Sequence, residues 1–393
     1  MKIKKTIYYW SPHINSTVAT VKAVLNSLSG LNKYSDNYDV SLINVFGEWS
    51  YYKNKKKNDI NFINLFLARK LDYRKDIVGY FKSRMLYLFV GFFSIVPLFN
   101  LIKKKKPDIL IVHLLSFIPL ILNIIFNFHT KIVLRISGFP KLNFFRIILW
   151  KLNSKKIEKI ICPTLETMKL LIEKNIFPEE KVILIEDPIL EISKISSLRK
   201  EEIPNVLINK KYILSIGRLS VQKNFKLLLE FFEMEEKIDA NLFLVIVGEG
   251  EERKNIERII LEKKIENKVF LLGYKKNIHN LLKHCYCFIL SSLWEDPGFV
   301  LIEAAVNNAS IISSDCKSGP KEILSNGKGG FLFNSNNILS FKNSYDHFKK
   351  LNNNDIFVKK YYSKKKAQLY SKFRHFKKLD KFLTETLNIQ LIR

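Results

Sequence analysis

The chain has 393 residues, 47% hydrophobic and 26% charged, with 14 Gly, 11 Pro and 4 Cys. That length predicts two or three domains with sizeable cores, and the balance excludes a disordered, collagen-like or disulfide-scaffold protein. Against 37 Asp and Glu stand 65 Lys and Arg, a net charge of +28 that attracts nucleic acid, anionic lipid and phosphorylated small molecules without choosing between them.

In chain order, Thr6 to Trp10 reads as a buried strand, its apolar run too short for the core of a secretory leader. Val18 to Leu28 reads as a helix, and strands follow at Val40 to Val45, Ile109 to Val112, Ile132 to Ile136, Lys159 to Cys162 and Val182 to Leu184. Met85 to Ile102 carries 18 residues without a formal charge, between Arg84 and Lys103 to Lys106. A membrane span, a buried helix pair and an interfacial segment on an anionic bilayer all fit it. Ser193 to Lys210, polar and interrupted by Pro204, reads as an interdomain linker.

The second half alternates strictly. Strands at Tyr212 to Ile216, Leu242 to Val247, Val269 to Leu272, Tyr286 to Leu290 and Ile311 to Ser313 are separated by helices at Phe225 to Phe232, Glu251 to Lys264, Ile278 to His284 and Val300 to Val306, with a short helix at Pro320 to Leu324 after the last. Near-continuous apolar strands alternating with helices predict parallel sheets covered on both faces, an α/β protein of doubly wound Rossmann-like domains. Of the four cysteines, Cys285 and Cys287 fall on one face of a predicted strand; with Cys162 and Cys316 they read as reduced core thiols, since no metal-ligand spacing joins them.

Ligands of open parallel sheets bind beyond the carboxyl ends of the strands, so the loops after the second-half strands are the places to look. Gly217-Arg218 with Lys223 sets two cations between a strand and a helix, a pattern for an anion clamp. Ser291 to Glu303 ends a strand in Ser-Ser, places Glu295 in the loop and opens a helix at Pro297-Gly298. The N–H groups of Gly298, Phe299 and Val300 can hold phosphate oxygens, whereas Glu295 and Glu303 would repel phosphate and suit the hydroxyls of a sugar or ribose. Ser318-Gly319-Pro320-Lys321-Glu322 is a further helix entry with a cation. Gly248-Glu249-Gly250 lacks a third glycine and carries Glu249, Glu251 and Glu252, which argues against a dinucleotide site.

Together these loops resemble the retaining glycosyltransferases of family 4, of the GT-B architecture. Glu295 to Glu303 resembles that family's E-x7-E motif, Gly217-Arg218 with Lys223 its G-R-x4-K clamp, and Ser318 to Leu324 the G-P-x-E-I-L stretch of bacterial surface-polysaccharide members. Pro107 to His113 more weakly resembles the P-D-(I/V)-(I/V)-x-x-H segment. The resemblance implies two Rossmann-like domains facing across a cleft: residues 1–192 on the acceptor side, a linker over 193–210, a nucleotide-sugar-binding domain over 211–345, and a helical tail over 346–393 packing back toward the first domain. It implies that Glu303 holds the ribose, that Glu295 contacts the donor sugar, and that Arg218, Lys223 and the amides at Gly298 to Val300, with Gly217 beside them, stabilise the departing diphosphate. No D-x-D pair appears, so no metal and no other cofactor is expected. The expected partners are a nucleotide-sugar, a saccharide or lipid-linked acceptor and an anionic membrane surface, and not nucleic acid. The expected location is cytoplasmic, peripheral to the inner face of the membrane. His13, His113, Arg135 and Ser137 are candidates for acceptor or sugar contact. The first loop, Ser11 to Thr20, lacks the glycines common in the family, with Ser16 or Ala19 standing where one would be. Other GT-B reactions, such as sugar-nucleotide epimerisation, share these features.

Overall fold

The computed structural model describes residues 3–13, 19–50, 52, 60–66, 80–295 and 297–389. The first-loop positions from Ile14 to Val18, with Ser16 among them, lie outside that set, as does Asp296. The chain divides into two compact units, one of Met1–Ile189 with Lys372–Arg393 and one of Leu190–Ser371.

In the first unit, strands β1 (Lys5–Trp10), β2 (Tyr38–Asn44), β3 (Asn61–Asn64), β4 (Ile109–Val112), β5 (Lys131–Arg135), β6 (Lys159–Cys162) and β7 (Val182–Leu184) form a parallel sheet in the order β3-β2-β1-β4-β5-β6-β7. Its strands are apolar on both faces because both faces are covered. Tyr8, Trp10, Leu110, Val112, Leu134 and Cys162 point into one core, and Ile7, Tyr9, Ile109, Ile111, Val133 and Ile161 into the other, the period of two of a pleated strand. Helices Tyr80–Lys105, Phe117–Ile125 and Phe144–Asn153 contribute to the first core; helices Ala19–Tyr34 and Lys372–Thr386 pack together in the second.

Residues 372–386 thus belong to the first unit. His375 anchors them: its Nδ1 lies 2.7 Å from the carbonyl of Glu186, and its Nε2 lies 2.9 Å from Ser27 Oγ, which is 2.8 Å from the Tyr9 hydroxyl. Only a neutral ring with Nδ1 protonated donates to the carbonyl and accepts from Ser27, and burial drives the His375 pKa down to about 3. Lys378 adds a 2.5 Å ion pair to the buried Glu186. The earlier part of the expected tail, the last turn of helix Ile338–Lys350 and all of helix Asn353–Ala367, stays with the second unit.

The second unit repeats the plan with β8 (Lys211–Ile216), β9 (Leu242–Val247), β10 (Val269–Leu271), β11 (Cys287–Leu290), β12 (Ile311–Ser314) and β13 (Phe331–Phe333), all parallel in the order β10-β9-β8-β11-β12-β13. A stack of Phe231, Phe341 and Phe333, with successive centroids 4.0 and 4.3 Å apart, fills one side of its core. The expected linker is folded onto this unit instead. Residues Ile192–Leu198 are helical, Leu207 is buried, and Arg199 donates to Asn307 Oδ1 and the Val306 carbonyl, closing the end of helix Phe299–Val306. Cys285 precedes β11 rather than lying in it. All four thiols are free, and burial pushes Cys162 and Cys285 up to about 12, consistent with inert packing.

Candidate functional site

Both sheets reverse their winding beside the first strand, between β1 and β4 in one unit and between β8 and β11 in the other. A crevice opens at the carboxyl ends of strands where the order reverses. In the second unit, the loops flanking that point are the two that carry the sequence motifs.

Hydrogen bonds draw these loops together. Leu293 N–H donates to the Gln222 carbonyl and Gln222 Nε2 to the Trp294 carbonyl, each at 2.8 Å. Ser291 Oγ donates to the carbonyls of Lys223 and Asn224. The loop after β12 joins them through Glu295 N–H on the Lys317 carbonyl and Ser318 N–H on the Glu295 carbonyl.

At the centre, Lys223 Nζ lies 2.5 Å from Glu295 Oε1, and Ser292 Oγ donates to the same oxygen at 2.5 Å. The carboxylate is 5% exposed and the lysine 13%. The lysine stem lies over Gly217, where a Cβ would stand 2.9 Å from Lys223 Cε, so the absence of a side chain there makes room for it. Gly298, at φ 87° and ψ 60°, turns the chain into helix Phe299–Val306, a conformation L side chains adopt only with strain. Glu303 is half-buried on that helix, and its carbonyl accepts from Asn307 Nδ2.

Arg218 departs from the expected clamp. It is exposed and paired with Glu251, Nη2 to Oε2 at 3.1 Å, beyond the end of β9. Glu249 in the same turn pairs with Arg253 at 2.6 Å. The acidic turn that argued against a dinucleotide site thus holds basic side chains. Lys321 pairs with Asp315 at 3.3 Å. Ser292 and Ser318 lie inside the sequence motifs, but local pattern assigned neither a role. Ser318 Oγ is buried with no hydrogen-bond partner among the described residues. The signal for Ser292 was a polar pair ending an otherwise apolar strand.

The first-unit candidates divide. His13 is buried against Trp49, ring centroids 4.4 Å apart, and neither ring nitrogen has a partner among the described residues. Burial lowers its pKa to about 4, so at neutral pH it is an uncharged ring beyond the end of β1. His113 is buried and stacked on Tyr9, and burial likewise lowers its pKa. Ser137 is half-buried in the loop after β5. Arg135 is a correction: it is 3% exposed and held by Asp187 and the Ile161 carbonyl. Its charge is satisfied inside the unit by those contacts. Asp108 of the Pro107 to His113 segment accepts from Thr6 N–H and Oγ1, fastening the start of β4 to β1.

Two Rossmann-like parallel sheets, the second bearing a lysine–carboxylate pair and a helix start at its switch point, define an enzyme of the GT-B class. Residues 199–367 match the family model of the glycosyl transferases group 1. Over 285 residues the chain is 32% identical to an uncharacterized glycosyltransferase of Methanocaldococcus jannaschii, covering 67% of this chain and 70% of that protein. Over 317 residues it is 27% identical to the UDP-Gal:alpha-D-GlcNAc-diphosphoundecaprenol alpha-1,3-galactosyltransferase of Escherichia coli, covering 73% and 79%. A crystal structure of a glycosyltransferase from Rickettsia africae superposes with a TM-score of 0.74 at 17% identity, over 98% of this chain and all of that one, which speaks to the fold alone. The chain belongs to the group 1 glycosyltransferases.

Proposed function

We propose that this glycosyltransferase moves a hexosyl or N-acetylhexosaminyl group from a nucleoside diphosphate sugar to a saccharide or lipid-linked saccharide in cell-surface polysaccharide or lipopolysaccharide assembly, with retention at the anomeric carbon. The observation that carries the donor side is the Lys223–Glu295–Ser292 cluster beside the helix start at Gly298. Breaking a sugar–diphosphate bond leaves negative charge on the departing oxygen. The Lys223 ammonium and the N–H groups of Gly298, Phe299 and Val300 are fixed positive groups at that place, and they need no reorganisation as the charge develops. Glu295 holds Lys223 in position and offers a carboxylate to a sugar hydroxyl; Glu303, further along the same helix, is assigned to the ribose. Arg218 reaches the diphosphate by leaving its exposed pair with Glu251, a contact of little energy in water.

Among the described residues, no group of three or more His, Cys, Asp or Glu is placed to hold a metal ion. In this reading Lys223, Arg218 and the helix-start amides supply the charge relief, so we propose that the reaction needs no metal. The acceptor side rests on His13 and Ser137 and on the Escherichia coli relative, whose name specifies a diphosphoundecaprenol acceptor. With a nucleotide-sugar donor and a lipid-linked acceptor, the proposed location is the cytoplasm, at the inner face of the membrane. The test is turnover of a panel of nucleotide-sugars by wild type and by Glu303→Gln. Wild-type turnover by that variant would remove the ribose assignment, and conversion of a nucleotide-sugar without any acceptor would favour an epimerase.

A further inference from the structure

Helices Tyr80–Lys105, Phe117–Ile125 and Phe144–Asn153 pack in sequence, each on the next, over one face of the first sheet. Their inner stripes, with Val90, Leu98, Ile118, Leu122 and Trp150, fill the core. Their outer surfaces are also apolar. Leu88, Phe92 and Val96 recur at four-residue spacing along the first helix and face outward, as do Ile125 on the second and Phe144 and Phe145 on the third. Phe92, Phe144 and Phe145 are 73, 71 and 82% exposed. Two surface helices behave differently: Arg253–Glu262 exposes Lys254, Glu257, Arg258 and Glu262 beside the single apolar Leu261, and Lys372–Thr386 exposes Arg374, Lys377, Lys381 and Glu385 beside Phe373; in the second unit helix Asn353–Ala367 also exposes Phe357 and Val358. A contiguous outward apolar face on one side of a protein marks an interaction site.

The charge around this face names the occupant. From Tyr80 to Ile157 the chain carries 13 Lys and Arg and a single acidic residue, Asp108. Asp108 is already engaged by Thr6 and Lys5. Lys103 to Lys106 end the first helix, and Lys151, Lys155 and Lys156 end or follow the third, all exposed. A second copy of the chain would set two such cationic fields against each other. An anionic bilayer offers both a negative surface for the lysines and hydrocarbon for the phenylalanines. Met85–Lys105 is long and apolar enough to cross a membrane, with a mean hydropathy of 2.1. Its inner stripe is committed to the core, so it lies along the surface.

We infer that the outward faces of these three helices form a bilayer-docking surface, with Phe92, Phe144 and Phe145 inserted among acyl chains and the flanking lysines on anionic headgroups. The inference rests on the lipid-linked-acceptor reading and deepens it by naming the surface. The test is co-sedimentation of the full chain with phosphatidylcholine vesicles, with and without phosphatidylglycerol. Binding is expected only with phosphatidylglycerol, weakened by salt and by Lys103 to Lys106→Gln. The double variant Phe144→Ser, Phe145→Ser should bind about tenfold or more weakly, with its circular dichroism and melting temperature unchanged; Phe92→Glu provides a second variant should that one fail to fold. Undiminished binding by both variants overturns the inference, and so does a dimer in solution that the phenylalanine substitutions dissociate. Donor turnover with a water-soluble acceptor separates the two claims. Vesicle binding without transfer to any lipid-linked saccharide sinks the acceptor assignment and leaves the docking face standing. Transfer to a lipid-linked saccharide by a protein that ignores vesicles does the reverse.

Discussion

Lys223 and Glu295, 72 positions apart, meet at 2.5 Å where the second sheet reverses its winding, and Ser292 binds the same carboxylate oxygen. One contact therefore joins the loop after β8 to the loop after β11. It gives the lysine a fixed place and leaves it able to exchange its partner for a phosphate oxygen.

Removing either partner should damage both folding and catalysis. Lys223→Met or Glu295→Gln leaves a mostly buried group unpaired, so each should lower stability by about 3–5 kcal/mol and donor turnover by about 10²–10³-fold. The double variant should recover much of the stability and none of the turnover. Denaturant unfolding alongside steady-state kinetics checks this; recovery of activity in the double variant would show the pair to be structural only.

Arg218 should behave in the opposite way. Its pair with Glu251 is exposed, so Arg218→Ala should change stability by no more than about 1 kcal/mol. If the guanidinium swings to the diphosphate, the same variant should weaken nucleoside diphosphate binding about tenfold or more, read by calorimetric titration. Unchanged affinity would leave Arg218 a surface residue.

Gly298→Ala should cost about 1–2 kcal/mol, because alanine resists the left-handed conformation. The added Cβ would meet Glu295 Cγ at 3.4 Å, an ordinary contact, so the strain falls on the backbone that opens the helix. Turnover should fall more than stability alone explains, which is checked by assaying well below the melting temperature.

Charge relief by side chains and amides predicts that excess chelator leaves turnover unchanged. A loss on chelation that Mg²⁺ or Mn²⁺ restores would show that the reaction uses a metal.

Acid should loosen the first unit through His375. Its folded pKa is about 3 against an ordinary 6.5. A base with a depressed folded pKa stabilises the fold above its unfolded value, and that contribution is lost as pH falls from 6.5 toward 3. His375→Gln should melt lower than wild type near pH 7.5 and approach it near pH 4.5, tracked by thermal unfolding across that range.

How much of this could be read from the chain alone follows from the range of each signal. Strands β9 and β11 are uninterrupted apolar runs beside Gly, Pro or Ser, and local pattern suffices to find them. The edge strand β3, Asn-Phe-Ile-Asn, is too short and polar to stand out, and β13 is three residues long. The site motifs were legible because each lies within one loop. Partners were not: Arg218 finds Glu251 and Arg135 finds Asp187 only once sheets have formed. Ser193 to Lys210 looked like a linker because its polar composition hides two buried anchors, Ile195 and Leu207, and the Arg199 contact with Asn307. Phe144 and Phe145 lie in a stretch too short to stand out beside the apolar run of Met85 to Ile102, although they are as exposed as Phe92 within it.

The chain leaves the first unit at Ile189 and re-enters it at Lys372, and Leu190 and Ser371 pair in register where it departs and returns. During synthesis, the first unit lacks the helix that carries His375 until the whole of the second unit has been translated. The second half can close as soon as its own residues are out. The order of translation and the order of completion are therefore reversed, and a chain stalled before Lys372 would carry a finished second unit and an unfinished first one.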